Sequence, residues 1–259
     1  MGAEEFDAYY QAWYGQRWKG LKKALLEPSA AYEYRTGLLK PYLLDYASVL
    51  AAGSLRLPEQ GLILDCCAAP GGKSLVIASA MGSETELLSN ELSNDRRRRL
   101  VNVLDEHLPP EIRGRVRVSG FDAAAQGGRK SEHERFSAVL LDAPCSSERH
   151  VLGDEQALSA WSAARPRFLA QRQWALLSSA FLLLKSGGSL VYATCAVSPE
   201  ENDRVVSRLV KKYGNRIDPD IPDMPMGEQT EFGRMILPDR SDNMGPMYIA
   251  RFRKKLPDF

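Results

Sequence analysis

The chain has 259 residues, 44% of them hydrophobic and 26% charged, with 34 Lys and Arg against 33 Asp and Glu. A net charge of +1 excludes a protein that coats nucleic acid by bulk electrostatics, so any such contact must come from a local patch. No apolar run approaches the ~18–20 residues of a membrane span, and cysteines at 66, 67, 145 and 195 match neither a disulfide scaffold nor the paired spacing of a zinc site, so no metal is expected. In chain order, residues 4–27 read as a helix with Phe6, Tyr10, Trp13 and Tyr14 on one face, and 39–50 as a second helix. From residue 61 short apolar runs alternate with helical stretches. Strands are predicted at 62–64, 86–88, 116–118, 138–141 and 190–192, and helices at 73–81, 95–107 and 166–185. Pro166 suits the first turn of the last helix and Gly187-Gly188 its end. Residues 143–158 and 214–231 read as irregular. The alternation predicts an α/β fold, a mostly parallel sheet with helices on both faces, preceded by an N-terminal helical extension over 1–55. Ligands in such folds bind at the carboxyl ends of the strands. The acidic start Met1-Gly2-Ala3-Glu4-Glu5 reads as neither a secretory signal nor a transit peptide, so a cytoplasmic location is expected, or a mitochondrial one if the chain is a processed form.

Residues 62–74 form a strand, a tight turn of small residues (Cys66 to Gly72) and a helix start. Two chemistries use such a turn. Gly72-Lys73-Ser74 matches the end of a phosphate loop, and Ala138–Asp142 resembles the acidic strand that positions magnesium beside one. The first glycine of that loop would fall on Cys67, whose side chain crowds a phosphate. The other chemistry is a nucleoside cofactor, which needs an acid at the end of the second strand, roughly 20 residues on, for its ribose. Glu91 stands there, Asp122 follows the third strand and can face an adenine amine, and Asp142 follows the fourth. Three acids at successive strand ends read as S-adenosylmethionine binding.

Cys145 and Cys195 each follow a strand, the fourth and fifth, at the same sheet edge as the turn. Carbon 5 of a pyrimidine is a poor nucleophile, and a thiolate adding at carbon 6 makes it enamine-like and able to attack a methyl sulfonium. A neighbouring carboxyl, Asp142, can hold N3 and the exocyclic amine as charge develops. Methylation of an exocyclic nitrogen needs no thiol, and the Asn-Pro-Pro-Tyr type of motif used there is absent. The pair of cysteines therefore favours carbon-5 methylation of cytosine.

Asp65–Lys73 (DCCAAPGGK), Leu141–Ser146 (LDAPCS) and Tyr192–Cys195 (YATC) followed by Glu201-Asn202 resemble the Nop2/Sun (RsmB-type) RNA cytosine-5 methyltransferases. The likeness covers about residues 30–255 and is nearest in motif detail to the branch containing the mitochondrial small-subunit ribosomal RNA enzyme. It implies a Rossmann-like class I S-adenosylmethionine-dependent methyltransferase, with residues 56–259 as its catalytic domain. It implies further that Cys195 is the nucleophile and that Cys145 helps release the product. The cofactor residues carried over are Cys67, Ala68, Ala69, Pro70, Gly71, Gly72, Lys73, Glu91, Arg96, Asp122 and Asp142. DNA enzymes use the Pro-Cys cysteine as nucleophile, so Thr194-Cys195 points to RNA, ribosomal first and transfer RNA next. The family usually has Asp where Glu91 stands, and many members carry glycines after Pro-Cys-Ser where this chain has Ser147-Glu148-Arg149-His150.

No further RNA-binding domain is expected within these 259 residues, and substrate choice would then depend on the catalytic domain itself or on a protein partner. Arg97 to Arg99 point around a helix and read mainly as solvated surface. Arg17, Lys19, Lys22 and Lys23 interleave with Trp13, Tyr14 and Trp18, a pattern open to RNA stacking but favouring burial of the aromatic face. His150 can contact RNA or cap a loop. Two other classes compete with the methyltransferase: a phosphate-loop NTPase, and a non-catalytic RNA-binding assembly factor on the same scaffold, which would have no need of two thiols at the sheet edge.

Overall fold

A computed structural model describes residues 2–256; positions 1 and 257–259, the outermost of the two predicted segments, lie outside the described residues. The chain opens with α1 (Gly2–Tyr14) and α2 (Trp18–Leu26), separated by a 3-10 turn that starts at Gly15 with φ +55°. The single helix predicted over 4–27 is thus broken where a residue without a Cβ takes a left-handed conformation. Next come β1 (Ala31–Tyr34), β2 (Tyr42–Asp45) and α3 (Tyr46–Gly53). Most of the predicted helix at 39–50 divides into a strand, paired antiparallel with β1, and a helix capped by Asp45, whose Oδ1 accepts from the Ala47 N–H at 2.8 Å.

The central portion alternates as predicted: β3 (Gln60–Asp65), α4 (Gly72–Ala80), β4 (Glu84–Asn90), α5 (Asn94–His107), the single turn α6 (Pro110–Arg113), β5 (Val116–Ser119), the single turn α7 (Ala123–Gln126) and β6 (Phe136–Asp142). The stretch read as irregular at 143–158 contains α8 (Glu148–Gly153) and α9 (Glu155–Ser159), the latter capped by Asp154. Then follow α10 (Ala164–Leu183), β7 (Leu184–Thr194), α11 (Asp203–Tyr213), β8 (Ile217–Pro219), β9 (Glu228–Gln229), β10 (Arg234–Ile236) and β11 (Met247–Lys254). Gly187-Gly188 does not end the helix. It lies inside β7, where the register with β6 shifts between Phe136 and Ala138, and a Cβ on Gly188 would stand 2.8 Å from the Ser137 carbonyl oxygen.

The main sheet runs β5-β4-β3-β6-β7-β11-β10-β9, with β8 also on β11. Pairs from β5 to β7 are parallel, while β11 joins β7 antiparallel. The order reverses at β3, which opens a crevice at the carboxyl ends of β3, β4 and β6. Alternate residues of each strand enter opposite cores. Leu64, Val139, Leu141 and Tyr192 face α1, α2, α10 and α11, whereas Ile63, Ala138, Leu140 and Val191 face α3, α4 and α5. The N-terminal helices share the first core: Phe6 and Tyr10 lie with Trp18 and Trp161 at ring separations of 4.6 to 5.9 Å. The aromatic face is therefore packed inward, while Trp13 remains 38% exposed under the Arg204 guanidinium. Among the described residues no helix is long and apolar enough to cross a membrane.

One ionisable group is sealed where α4 meets the sheet. Asp65 is fully buried, its Oδ2 accepting from the Ser74 hydroxyl at 2.7 Å while Oδ1 has no partner. Burial pushes its pKa up from 3.8 to about 7, against the lowering effect of the Ser74 hydrogen bond. The folded protein therefore holds a proton that the unfolded chain releases, and stability declines as pH rises from about 4 to about 7.

Two stability predictions follow from this packing. Phe6→Ala is expected to lower the unfolding free energy by about 3–5 kcal/mol, and Trp13→Ala by no more than about 1 kcal/mol, both read from urea unfolding. Asp65→Asn, which cannot titrate, is expected to gain on the order of 3 kcal/mol over wild type between pH ~5 and pH ~8. An unchanged difference across that range would place the proton elsewhere.

Candidate active site

The turn after β3 is held by backbone bonds to the neighbouring strands: the Cys66 N–H donates to the Leu140 carbonyl and the Ala68 N–H to the Asn90 carbonyl, both at 2.9 Å. The Asn90 side chain, at the end of β4, clasps the chain just beyond β3 and β5, donating to the carbonyls of Cys66 and Phe121 and accepting from the Phe121 N–H at 3.0 Å. Gly71 has φ +129°, and a Cβ there would strike Val103 of α5 at 2.9 Å. Lys73 donates to Asp142 Oδ2 at 2.8 Å and to Ser48 Oγ at 3.2 Å, while the Ser74 hydroxyl is buried on Asp65. The lysine and serine that a phosphate loop offers to phosphate and magnesium are thus committed to the protein's own carboxylates. Burial works to lower the Lys73 pKa, but the Asp142 carboxylate outweighs it and the pKa is raised.

Two cavities adjoin this turn, and a third is continuous with the second of them. One of 410 Å³ is bordered by Cys67, Glu91, Arg96, Phe121, Asp122 and Arg172. Glu91 accepts from the Ser93 N–H through Oε1 at 2.9 Å, and its buried Oε2 has no hydrogen-bond partner, with Arg96 Nη1 at 3.4 Å. Arg96 also donates to the Ala69 carbonyl at 2.8 Å. Asp122 accepts from Arg172 Nη2 at 2.7 Å, and that guanidinium holds its pKa below the ordinary value. An unpartnered carboxyl oxygen, an aromatic edge and a second carboxylate around a space of this size fit the diol and base of an adenosyl group. Burial drives the Cys67 pKa well up, so this thiol stays protonated beside the cavity.

A second cavity of 220 Å³ has Ala68, Ala69, Pro70, Gly72, Lys73 and Asp142 in its wall. It shares Leu43, Leu44 and Ser48 with the third, of 540 Å³, into which Cys195 opens beside Ser147, Arg149 and His150. The predicted residues therefore fall into two groups around the turn, with Asp142 and Lys73 between the adenosyl-sized space and the thiol. Gly71 belongs to the α5 contact instead.

Cys145 and Cys195 stand 2.9 Å apart, sulfur to sulfur, too far for a disulfide bond. Ser147 Oγ is 3.2 Å from the Cys195 sulfur and 3.7 Å from that of Cys145. The hydrogen bond from Cys145 lowers the Cys195 pKa despite burial, assisted by Ser147, while the same contact and burial raise that of Cys145. The contact thus favours the thiolate form at Cys195 and the protonated thiol at Cys145. Ser147 reaches this place with φ +52°, a left-handed conformation that costs a non-glycine residue roughly 1 kcal/mol or more. The glycines that the family resemblance leads one to expect in this stretch were the available signal of such a backbone.

Sequence reasoning gave no role to the groups beneath the thiols. Ser146, Glu148, Gln173 and Glu201 are all fully buried there, linked to one another by hydrogen bonds. Arg149 draws the surrounding segments together, donating to the carbonyls of Glu27 and Gly245. Among the described residues no group of three or more His, Cys, Asp or Glu has the arrangement of a metal site.

Residues 52–253 match the family model for 16S rRNA methyltransferase RsmB/F. The chain is 33% identical over 233 residues to the bovine 5-cytosine rRNA methyltransferase NSUN4, covering 83% of this chain and 60% of that protein. It is 37% identical over 231 residues to ribosomal RNA small subunit methyltransferase F of Aeromonas salmonicida, covering 86% of this chain and 47% of that one. It thus spans about half to three fifths of the length of these curated relatives. The solved structure of NSun6 from Pyrococcus horikoshii with SFG superposes with a TM-score of 0.69 at 25% identity, covering 86% of this chain and 55% of that one. The match over most of the chain, the shared fold and the three motifs meeting at one sheet edge place this protein in the RsmB/F (Nop2/Sun) family of RNA cytosine-5 methyltransferases.

Proposed function

We propose that this protein transfers a methyl group from S-adenosylmethionine to carbon 5 of a cytosine in structured RNA, ribosomal RNA first and transfer RNA next, through a covalent bond between Cys195 and carbon 6. The observation that carries this reading is the thiol pair 2.9 Å apart, with pKa values pushed in opposite directions, between an adenosyl-sized cavity and a larger opening. Glu91 takes the ribose diol, Arg96 steadies Glu91, and Asp122 with Phe121 borders the base. The cofactor, when bound, supplies the electrophilic methyl group.

The chain's own residues do the rest. The Cys195 thiolate adds to carbon 6, and the electron pair of the ring double bond moves toward carbon 5, which becomes the nucleophile. Asp142, held as an acceptor by the Lys73 ammonium at 2.8 Å, takes a hydrogen bond from the exocyclic amine and from N3 once the ring carries a proton there. After methyl transfer, solvent at the larger opening takes the carbon-5 proton, and the electron pair of the broken C–H bond re-forms the ring double bond and expels Cys195 as thiolate. Cys145, still protonated, donates to that departing sulfur and so assists resolution of the adduct. The basic groups at the larger opening, Arg149 and His150, lie where the RNA strand carrying the base would pass.

Two predictions test this reading. Cys195→Ala is expected to reduce methyl transfer by at least about a thousandfold with S-adenosylhomocysteine affinity unchanged, whereas Glu91→Ala weakens that affinity about tenfold or more by calorimetry. Cys145→Ala, incubated with ribosomal or transfer RNA and S-adenosylmethionine, is expected to give an RNase-sensitive shifted band on a denaturing gel that disappears when Cys195 is also replaced. Retained turnover in Cys195→Ala removes the mechanism, and a soluble, cofactor-binding Cys145→Ala protein that forms no band on an RNA methylated by wild type reassigns Cys145 to structure.

A further inference from the structure

Beneath the two thiols, one serine hydroxyl lies between two buried carboxyl groups. Ser146 Oγ is 2.5 Å from Glu148 Oε1 and 2.5 Å from Glu201 Oε1. A hydroxyl has one proton and can donate to only one of them, so the other contact requires a proton on the carboxyl group. The neighbours decide which. Glu148 is surrounded by donors, the Tyr10 hydroxyl at 2.5 Å on Oε1 and the Val197 N–H at 3.0 Å on Oε2. Glu201 accepts only through Oε2, from the Ser146 N–H at 3.0 Å and Gln173 Nε2 at 2.8 Å, which leaves Oε1 able to carry a proton toward Ser146.

We propose that Glu201, Ser146 and Glu148 form a directional relay holding a single proton and a single negative charge, with the proton on Glu201 and the charge on Glu148, that fixes the two cysteine loops against each other. This rests on the reading of Cys195 as nucleophile and names the positioning residues of that same site. The attachments explain the effect. Gln173 also donates to the Pro144 carbonyl at 2.9 Å, so the relay holds residues 144 and 146 on either side of Cys145. Through Val197 it holds the segment that follows Cys195. The N-terminal helix seals the same segment: the Tyr14 hydroxyl donates to the Val197 carbonyl at 2.6 Å, and the Tyr9 hydroxyl lies 2.9 Å from Ser198 Oγ. Tyr10 is thus a positioning residue for chemistry on the far side of the relay.

Loss of the proton on Glu201 would set two negative charges around one hydroxyl in a buried space. Glu201 is faced by Glu148 of α8, Tyr9 and Tyr10 of α1, Tyr192 of β7 and Cys145, none of them a cation. Burial first, then Glu148, raises the Glu201 pKa to about 8. The relay is intact below that pH and opens above it.

Thiol alkylation tests this without RNA or cofactor. The full chain and its variants are treated with iodoacetamide from about pH 6 to about pH 9, folding is checked by circular dichroism, and each cysteine is read by peptide mass spectrometry. In wild type, Cys195 is expected to react at least about tenfold faster than Cys145 at neutral pH, with that preference falling above pH ~8. Glu201→Gln keeps a donor toward Ser146 but cannot titrate; it is expected to retain the preference and carry it to higher pH, whereas Glu201→Ala loses it. Glu148→Gln sets an amide N–H against donors and is expected to reduce the preference to about threefold or less. Tyr10→Phe, which keeps the ring and its packing, is expected to show a partial loss and decides the case if Glu148→Gln does not fold. Equal losses in Glu201→Gln and Glu201→Ala, or an unchanged preference in Glu148→Gln or Tyr10→Phe, overturn the relay. Methyl transfer on the same preparations separates the two readings: a selective but inert wild type removes the methyltransferase and leaves the relay, and an active wild type whose variants match it does the reverse.

Discussion

The site depends on the parallel pairing of β6 with β7. Asp142 lies opposite Ala193, and the Ala143 N–H continues the ladder by donating to the Ala193 carbonyl at 2.9 Å. Two loops therefore leave the sheet side by side at the same edge, and Cys145 and Cys195 meet although 50 positions separate them. An antiparallel pair would have sent one thiol to the opposite edge. The reversal of strand order at β3 opens the adenosyl-sized cavity on the other flank of Asp142, so one edge carries that space and both thiols together.

Polar groups are concentrated where the chemistry needs them, against the usual preference of a core. Asp65, Glu148 and Glu201 all have raised pKa values because burial disfavours their charged forms. Asp142 lies at the site with the Lys73 ammonium facing it at 2.8 Å. The same turn thus keeps one carboxyl as an acceptor at the surface of the site and another sealed beneath it. Sealing is completed by segments far away in the chain: α1 covers the loop after Cys195, and Arg149 binds carbonyls at Glu27 and Gly245 around the larger opening.

Elements whose signal is local were legible. The five strands from β3 to β7 and the helices α4, α5 and α10 follow from apolar runs and period, and the glycine turn from composition. Elements defined by partners were not. Residues 42–45 have a helical pattern but become a strand because β1 lies alongside, Gly187-Gly188 reads as a helix stop but forms a bulge opposite Ser137, and β10 and β11 exist through pairing with each other and β7. Helices α8 and α9 are too short for a periodic signal and are set by the left-handed Ser147 and the Asp154 cap.

The sequence by itself determined the α/β class, the strand ends that carry acids and thiols, and the family to which those motifs belong, because each is encoded in a short stretch whose chemistry is complete within it. Only the tertiary structure decided that Lys73 pairs with Asp142 rather than with a phosphate, that Ser147 breaks the symmetry between the two thiols, and that Glu148 and Glu201 share a hydroxyl. Those are contacts between residues distant in the chain, and their protonation is set by burial and by neighbours, neither of which a linear sequence contains.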